Sequence, residues 1–251
     1  MDAVRLPGST PPATTVVVMK PSISIIIPVL NEAVGIRSFL EHVRQNATGA
    51  EIVVADGGST DGTDSIASPL ADQVLITRAN RAVQMNAGAA ASSGDILWFL
   101  HADVRIPSDA LKTIQEIMSD KEVLAGFFRI RLPGSNPVYR LTDSFAHYLG
   151  LLFRMRCGDH GLFCRRSAFL ELGGFPEVPL MEDAELFRKL MRYGRVRWSQ
   201  DRLTVSPRRY QQIGAMRLTF FYGFIGALFA IGVPSSTLAR IYTRYCQPPA
   251  K

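Results

Sequence analysis

Cysteine is scarce: Cys157, Cys164 and Cys246 are the only three in 251 residues. An odd count without metal-ligand spacing excludes a disulfide framework and a cysteine zinc site, and it fits a reducing, cytosolic compartment. No G-x-G-x-x-G loop follows the first strand pattern, which argues against a dinucleotide-dependent dehydrogenase. The glycine-rich phosphate loop with lysine expected of a nucleotidyltransferase is missing there too. Acidic residues are outnumbered, 22 against 28, for a formal charge of +6. That excess suits an anionic ligand or a phosphate-bearing membrane surface, and equally a plain basic skin. The basic residues are scattered without an aromatic-laced stripe, so nucleic-acid binding is not expected. There is no internal repeat. The longest apolar run, Leu218 to Val233, is 16 residues, just under a membrane span.

What is present is ordinary globular composition, 47% apolar and 20% charged, enough for one substantial core. Residues 1–21 hold four prolines and only a short apolar run, and they read as a disordered arm. Residues 22–214 read as the folded domain, and 215–251 as an apolar helical segment with a tail.

Within the domain, buried strands alternate with helical patterns. Ser22 to Pro28 is β-branched and apolar, and Ile36, Phe39, Leu40 and Val43 follow at helical spacing. Glu51 to Ala55 is a second strand, Gln73 to Thr77 a third and Asp95 to Leu100 a fourth. An alanine-rich helix spans Arg81 to Ser92, and Asp61 or Thr63 is placed to cap a short helix. This alternation predicts a Rossmann-like, mostly parallel, doubly wound α/β sheet with its ligand crevice beyond the carboxyl ends of the strands. Those ends are polar: Asn31-Glu32, Asp56-Gly57-Gly58, Arg78 and His101-Ala102-Asp103. Further on, helices are expected over Leu111–Met118, Pro137–Phe153 and Pro179–Tyr193, and strands over Leu124–Leu132 and Leu162–Arg165.

Three chemical services are legible in these ends. Asp56 and Glu32 can accept hydrogen bonds from a base or ribose, with Gly57 allowing close backbone approach. Asp103 suits a hard divalent cation, Mg²⁺ or Mn²⁺, on diphosphate oxygens, with Arg81 assisting from a helix start. Arg208 and Arg209 form a candidate diphosphate clamp on a late loop, although an arginine pair is also common on solvated surfaces. Glu182-Asp183 opens a helix, where neighbours diverge by about 100 degrees, so one of the two is expected to face an acceptor as base. Acids in a first helical turn also simply complement the helix dipole.

Ser24-Ile-Ile-Ile-Pro-Val-Leu-Asn-Glu32, Val53-Val-Ala-Asp-Gly-Gly-Ser-Thr-Asp-Gly-Thr63, His101-Ala102-Asp103 and Glu182-Asp183, in this order, resemble family 2 glycosyltransferases over residues 22 to 210. Arg81-Ala-Val-Gln-Met-Asn86, Gly158-Asp-His-Gly-Leu-Phe-Cys-Arg-Arg166 and Arg208-Arg-Tyr-Gln-Gln-Ile-Gly214 are similar to a small bacterial branch associated with radical-SAM/selenium-domain clusters and arsenosugar synthesis. The resemblance implies a GT-A nucleotide-diphospho-sugar transferase fold and metal-assisted, inverting transfer from a nucleotide-diphosphate sugar, a UDP-sugar by family frequency. It implies that Pro28, Asn31, Glu32 and Ala102 line the nucleotide pocket and that Asp56 contacts the base. Asp103 would end an Asp-x-Asp metal motif whose first acid is replaced by His101. Asp183 would be the base, with Gly158, Asp159 and Glu182 bordering the sugar or acceptor. Arg208-Arg209-Tyr210 departs from the Gln-x-x-Arg-Trp pattern of processive synthases, so single transfer is expected.

The acceptor stays open between a lipid and a small molecule. The alternatives to such a transferase are a sugar nucleotidyltransferase and an idle nucleotide-sugar-binding scaffold. For the apolar stretch 218–239, three placements fit: docked on the domain or on a second copy in a homo-oligomer, lying in a membrane plane, or spanning it. A cytoplasmic protein, peripheral at the inner face of the membrane, accommodates the first two.

Overall fold

The computed structural model describes residues 21–134, 136–152 and 158–246. The expected N-terminal arm, Cys157 and Phe153 lie outside the described residues, apart from Pro21. One sheet of eight strands runs in the order β3-β2-β1-β4-β7-β6-β8-β5. Its strands are β1 (Ile23–Val29), β2 (Glu51–Asp56), β3 (Gln73–Ile76), β4 (Ile96–Phe99), β5 (Val104–Arg105), β6 (Val123–Arg131), β7 (Phe163–Arg165) and β8 (Arg195–Val205). Helices α1 (Ile36–Asn46), α2 (Thr63–Ala67) and α3 (Arg81–Ala91) connect the first four strands. They are followed by α4 (Ala110–Met118), α5 (Pro137–Leu152), α6 (Arg166–Glu171), α7 (Glu182–Tyr193), α8 (Arg208–Ile213), α9 (Ala215–Ala230) and α10 (Ser235–Cys246).

The first half of the sheet is parallel and doubly wound, as the alternation predicts. Strand periodicity sorts the two faces. Ile25 and Ile27 of β1 pack with Ile36, Leu40 and Val43 of α1, whereas Ile26 packs on the opposite face with Ala82, Met85 and Ala89 of α3. The small residues of α3 serve this contact, because a side chain on Gly88 would come within 2.5 Å of Ile26 Cγ2.

Beyond β4 the sheet is mixed rather than mostly parallel. Strand β7 inserts antiparallel between β4 and β6, β6 and β8 are parallel, and β5 closes the edge antiparallel to β8. Strand β8 escapes a sequence reading because Arg195, Arg197, Asp201 and Arg202 give it a solvated, charged look. Helix α7 begins at Glu182 rather than Pro179, since Met181 takes a left-handed φ of 70°. That left-handed residue turns the chain sharply into the helix.

The apolar stretch 218–239 is two helices, broken where Gly232 takes φ 86° ahead of Pro234. Among the described residues no helix is long and apolar enough to cross a membrane, which corrects the spanning placement. Leu218, Phe221, Ile225 and Phe229 of α9 instead pack with Leu238 of α10 and with Met181 and Ala184 at the start of α7. Arg188 of α7 lies 3.9 Å above the Phe229 ring, a cation–π contact across the same junction.

Buried Gln84, on α3, donates from Nε2 to the carbonyls of Val29 (2.7 Å) and Ala55 (2.8 Å), stapling the ends of β1 and β2 together. Gln84→Met keeps the length but removes both donors. The expected cost is about 1–2 kcal/mol, read as a fall of several degrees in Tm; an unchanged melting curve would contradict the staple.

Candidate active site

The loops after β1 and β2 are knitted together before any ligand arrives. Asn31, at φ 54°, accepts from Thr60 N (2.9 Å) through its side chain and donates from its own N to Ser59 Oγ (2.8 Å). Glu32 N donates to Thr63 Oγ1 and Ala33 N to Asp61 Oδ2. Asp61 also accepts from Thr63 N, but the N-cap of α2 is Gly62, without a side-chain cap bond, rather than Asp61 or Thr63 as expected. The Asn31 side chain is thus engaged in joining loops.

Asp56 is fully buried at the end of β2. Its Oδ1 accepts from Gly58 N (2.8 Å) and Ser59 N (2.6 Å), while its Oδ2 has no hydrogen-bond partner among the described residues. A buried carboxylate oxygen left single is costly and is suited to a ligand donor. Gly57 is small for a different reason than ligand approach. A side chain there would press on Ala79 Cα and Gln84 Nε2, both at 3.2 Å, and its N–H already donates to Val29 O. Pro28 sits beside these loops, in register with Ala55.

The second half of the sheet assembles an acidic cluster. The antiparallel register of β4 and β7 pairs Trp98 with Phe163, and Phe99 N donates to Leu162 O. Continued past the strand ends, that register sets the residues after Leu100 against the 3-10 turn Gly158–His160. His101 Nδ1 therefore meets Asp159 Oδ1 at 2.9 Å. One ligand atom from each of His101, Asp103 and Asp159 falls within 4.8 Å of the others. Asp159, expected at the acceptor border, thus stands where the carboxylate replaced by His101 was missing.

The electrostatics fit a cation. Burial, then nearby Asp159, raises the Asp103 pKa, against His101 and Arg209. Burial and Asp103 likewise raise Glu32, against Arg208. Burial would raise Asp159 as well, yet the hydrogen bond with His101, and then His101 and Arg81 as neighbours, hold it below the usual carboxylate range. Two carboxylates, Asp103 and Asp159, with the His101 imidazole beside them are a donor set for Mg²⁺ or Mn²⁺.

The β5–β8 pairing, continued by Ser206 N donating to Asp103 O, delivers the arginine pair to this cluster. Arg208 and Arg209 open α8 rather than lying on a loop. Arg208 is close enough to act on Glu32, and Arg209 on Asp103 and Asp159. Arg209 Nη1 donates to Tyr242 Oη (2.7 Å) and Tyr222 Oη (3.3 Å), and those two rings stack nearly parallel. Tyr222 and Tyr242, on α9 and α10, thereby border the candidate site, a placement that the sequence reading missed. Only their aromatic character is visible there, and nothing in the spacing joins them to Arg209.

The pair opening α7 divides as helical geometry requires. Glu182 is buried and turns to Arg81 (3.6 Å), so Arg81 ties to the acceptor side rather than standing free for a diphosphate. Asp183 Oδ1 accepts from Ala184 N (2.7 Å), and its Oδ2 accepts a short bond from Gly158 N. Burial, then Glu182, raises the Asp183 pKa to about 7, with Arg81 working against them. Gly158 itself is required. A side chain there would lie 2.3 Å from His101 Nε2, a nitrogen with no hydrogen-bond partner among the described residues.

A model of glycosyl transferase family 2 matches residues 24–170, more than half of the chain. The protein belongs to this family, and its fold is of the GT-A type. Succinoglycan biosynthesis protein ExoA of Rhizobium meliloti is 30% identical over 212 residues, 72% of this chain and 61% of that protein. Pre-mycofactocin glycosyltransferase of Mycobacterium tuberculosis is 28% identical over 233 residues, 86% and 49% of the two. The chain therefore spans about half to three-fifths of these curated relatives. A mannosyltransferase from Pyrobaculum calidifontis, solved with GDP-mannose and Mn²⁺, superposes with TM-score 0.67 at 21% identity, covering 90% of this chain and 70% of that one. Glucosyl-3-phosphoglycerate synthase from Mycobacterium tuberculosis, solved with Mn²⁺, UDP and product, gives 0.58 at 20% identity, covering 86% and 82%. These two share the fold.

The raised Asp183 pKa makes a stability prediction. A carboxyl with a folded pKa near 7 and an unfolded value near ~4 holds its proton more tightly in the native state. Its contribution to stability therefore falls as pH rises through that window. Asp183→Asn, measured in metal-free buffer, should exceed the natural protein in Tm most at pH 8. The gap should close as pH drops from 7 toward 4, and a pH-independent gap would contradict the assignment.

Proposed function

We propose that the enzyme transfers one sugar from a nucleotide-diphosphate donor, a UDP-sugar, to an acceptor hydroxyl by inverting single displacement. The observation carrying this reading is the 158–159 pair. Gly158 N holds Asp183, and Asp159 holds His101 beside Asp103, so donor and acceptor chemistry share one turn. Neighbouring folds that bind GDP-mannose or UDP together with Mn²⁺ support the donor class.

In this reading the unpartnered Oδ2 of Asp56 accepts a hydrogen bond from the nucleoside, in a pocket bordered by Pro28, Asn31, Glu32 and Ala102. His101, Asp103 and Asp159 would hold Mg²⁺ or Mn²⁺, which when bound would supply charge neutralisation for a departing diphosphate. Arg209, aimed by its two tyrosines, and Arg208 beside Glu32 grip diphosphate oxygens. The acceptor oxygen forms its bond to the anomeric carbon as the bond to the diphosphate oxygen breaks and the electron pair leaves with the nucleotide. Asp183 takes the acceptor proton. A pKa near 7 keeps Asp183 substantially ionised at neutral pH while making it a stronger base than an ordinary carboxylate. Glu182, neutralised by Arg81, supports Asp183 from behind. The acceptor is a hydroxyl compound, lipid or small polar molecule.

Asp183→Asn should reduce transfer by about 10²-fold or more while leaving nucleotide affinity nearly unchanged. Equal loss of donor binding would remove Asp183 from the role of base. A thermal-shift screen of nucleotides and nucleotide sugars tests the donor site, since ligands that bind the native state raise Tm by mass action. The natural protein should respond to UDP more strongly with Mn²⁺ than without it. Asp103→Ala should lose that metal-dependent increment, and an unchanged increment would exclude Asp103 as a ligand.

A further inference from the structure

We infer that the outward face of α9 is a docking surface for an anionic lipid bilayer, with the helix lying in the membrane plane. The inward face of α9 is accounted for by Leu218, Phe221, Ile225 and Phe229, which pack on α7 and α10. The outward face carries large apolar side chains that are about half exposed or more among the described residues. Met216 is 44% exposed, Phe220 61%, Phe224 53% and Ile231, just past the helix, 79%. Arg217, Phe220 and Phe224 recur at spacings of three and four, so the exposed cation and both rings share one stripe. Exposed phenylalanines one helical turn apart have no role in the fold and mark an interaction surface.

Charge selects the occupant. Arg217 is exposed on this stripe, Arg240 and Arg244 are exposed on the neighbouring α10, and neither helix contains an acidic residue. Two copies meeting through such a surface would bring like charges together, whereas a leaflet of anionic headgroups attracts these three cations. The length of α9, about 24 Å for its 16 residues, is short for crossing and ample for lying flat with rings in the acyl boundary and Arg217 among headgroups. This inference does not depend on the catalytic roles above, because its readout is binding to lipid without nucleotide or acceptor.

The test is co-sedimentation of the full chain with vesicles of phosphatidylcholine alone or mixed with phosphatidylglycerol. Binding is expected to the mixed vesicles, weaker to the neutral ones, and reduced by salt. The double variant Phe220→Ser/Phe224→Ser should lose about tenfold or more in partitioning while keeping the Tm of the natural protein, since neither ring is buried. Phe224→Trp should show a blue-shifted emission on adding mixed vesicles, a readout that stands even if the double variant folds poorly. Absence of binding to mixed vesicles would overturn the inference. So would binding unaffected by the double substitution in a folded variant, no shift at residue 224, or a lipid-free dimer abolished by the same substitutions.

Discussion

The antiparallel pairing of β4 with β7 is the constraint on which the active site depends. Four parallel strands deliver Asp56, the loops around Glu32 and His101-Ala102-Asp103, but they leave the last without its counterpart. Reversal of direction at β7 sends the chain back past the end of β4, so Gly158-Asp159 arrives beside His101. Backbone hydrogen bonding sets this register, and a slip of one residue would carry Asp159 to the other face of the strand pair. Gly158 tolerates no side chain at this crossing, because His101 occupies the space.

Around that crossing the charges are arranged by mutual restraint. Asp103 crowds both Glu32 and Asp159, with Arg208 and Arg209 as partial counter-charges and His101 bonded to Asp159. The fold thus maintains a negative pocket rimmed by cations, suited to a metal and a diphosphate together. Asp183 is separated from this pocket by a single peptide group. Its burial, relieved by two backbone N–H bonds, tunes it apart from the acids nearby. Carboxylates a few residues apart in space therefore have different protonation behaviour because their surroundings differ.

The C-terminal helices pack against the candidate site. Tyr222 and Tyr242 hold Arg209 at the acidic cluster, and Phe221 stacks on Tyr245 to join the two helices. The same helix that presents Tyr222 inward toward Arg209 presents Phe220 and Phe224 outward. Seating its outer face on a lipid surface would therefore place the donor site close to the membrane. A lipid acceptor would suit that arrangement.

Much of the donor half was legible in the chain because it depends on local patterns. Buried β-branched runs, each ending in polar residues, are enough to predict parallel strands and a crevice at their carboxyl ends, and Asp56, Glu32 and Asp103 lie there. The split between Glu182 and Asp183 followed from helical geometry alone. Other features have no local signature. Gln84 reads as one polar residue on an alanine-rich helix, and its staple exists only once β1 and β2 are side by side. Strand β8 hides behind its charges, and the mixed second half of the sheet hides with it. The sequence by itself determined the elements of the parallel half and the kinds of chemistry available. The company each residue keeps (Asp159 with His101, Arg209 with two tyrosines, Asp183 with Gly158) was decided only by tertiary structure, because each pairing joins segments whose proximity comes from strand register and helix packing rather than spacing along the chain.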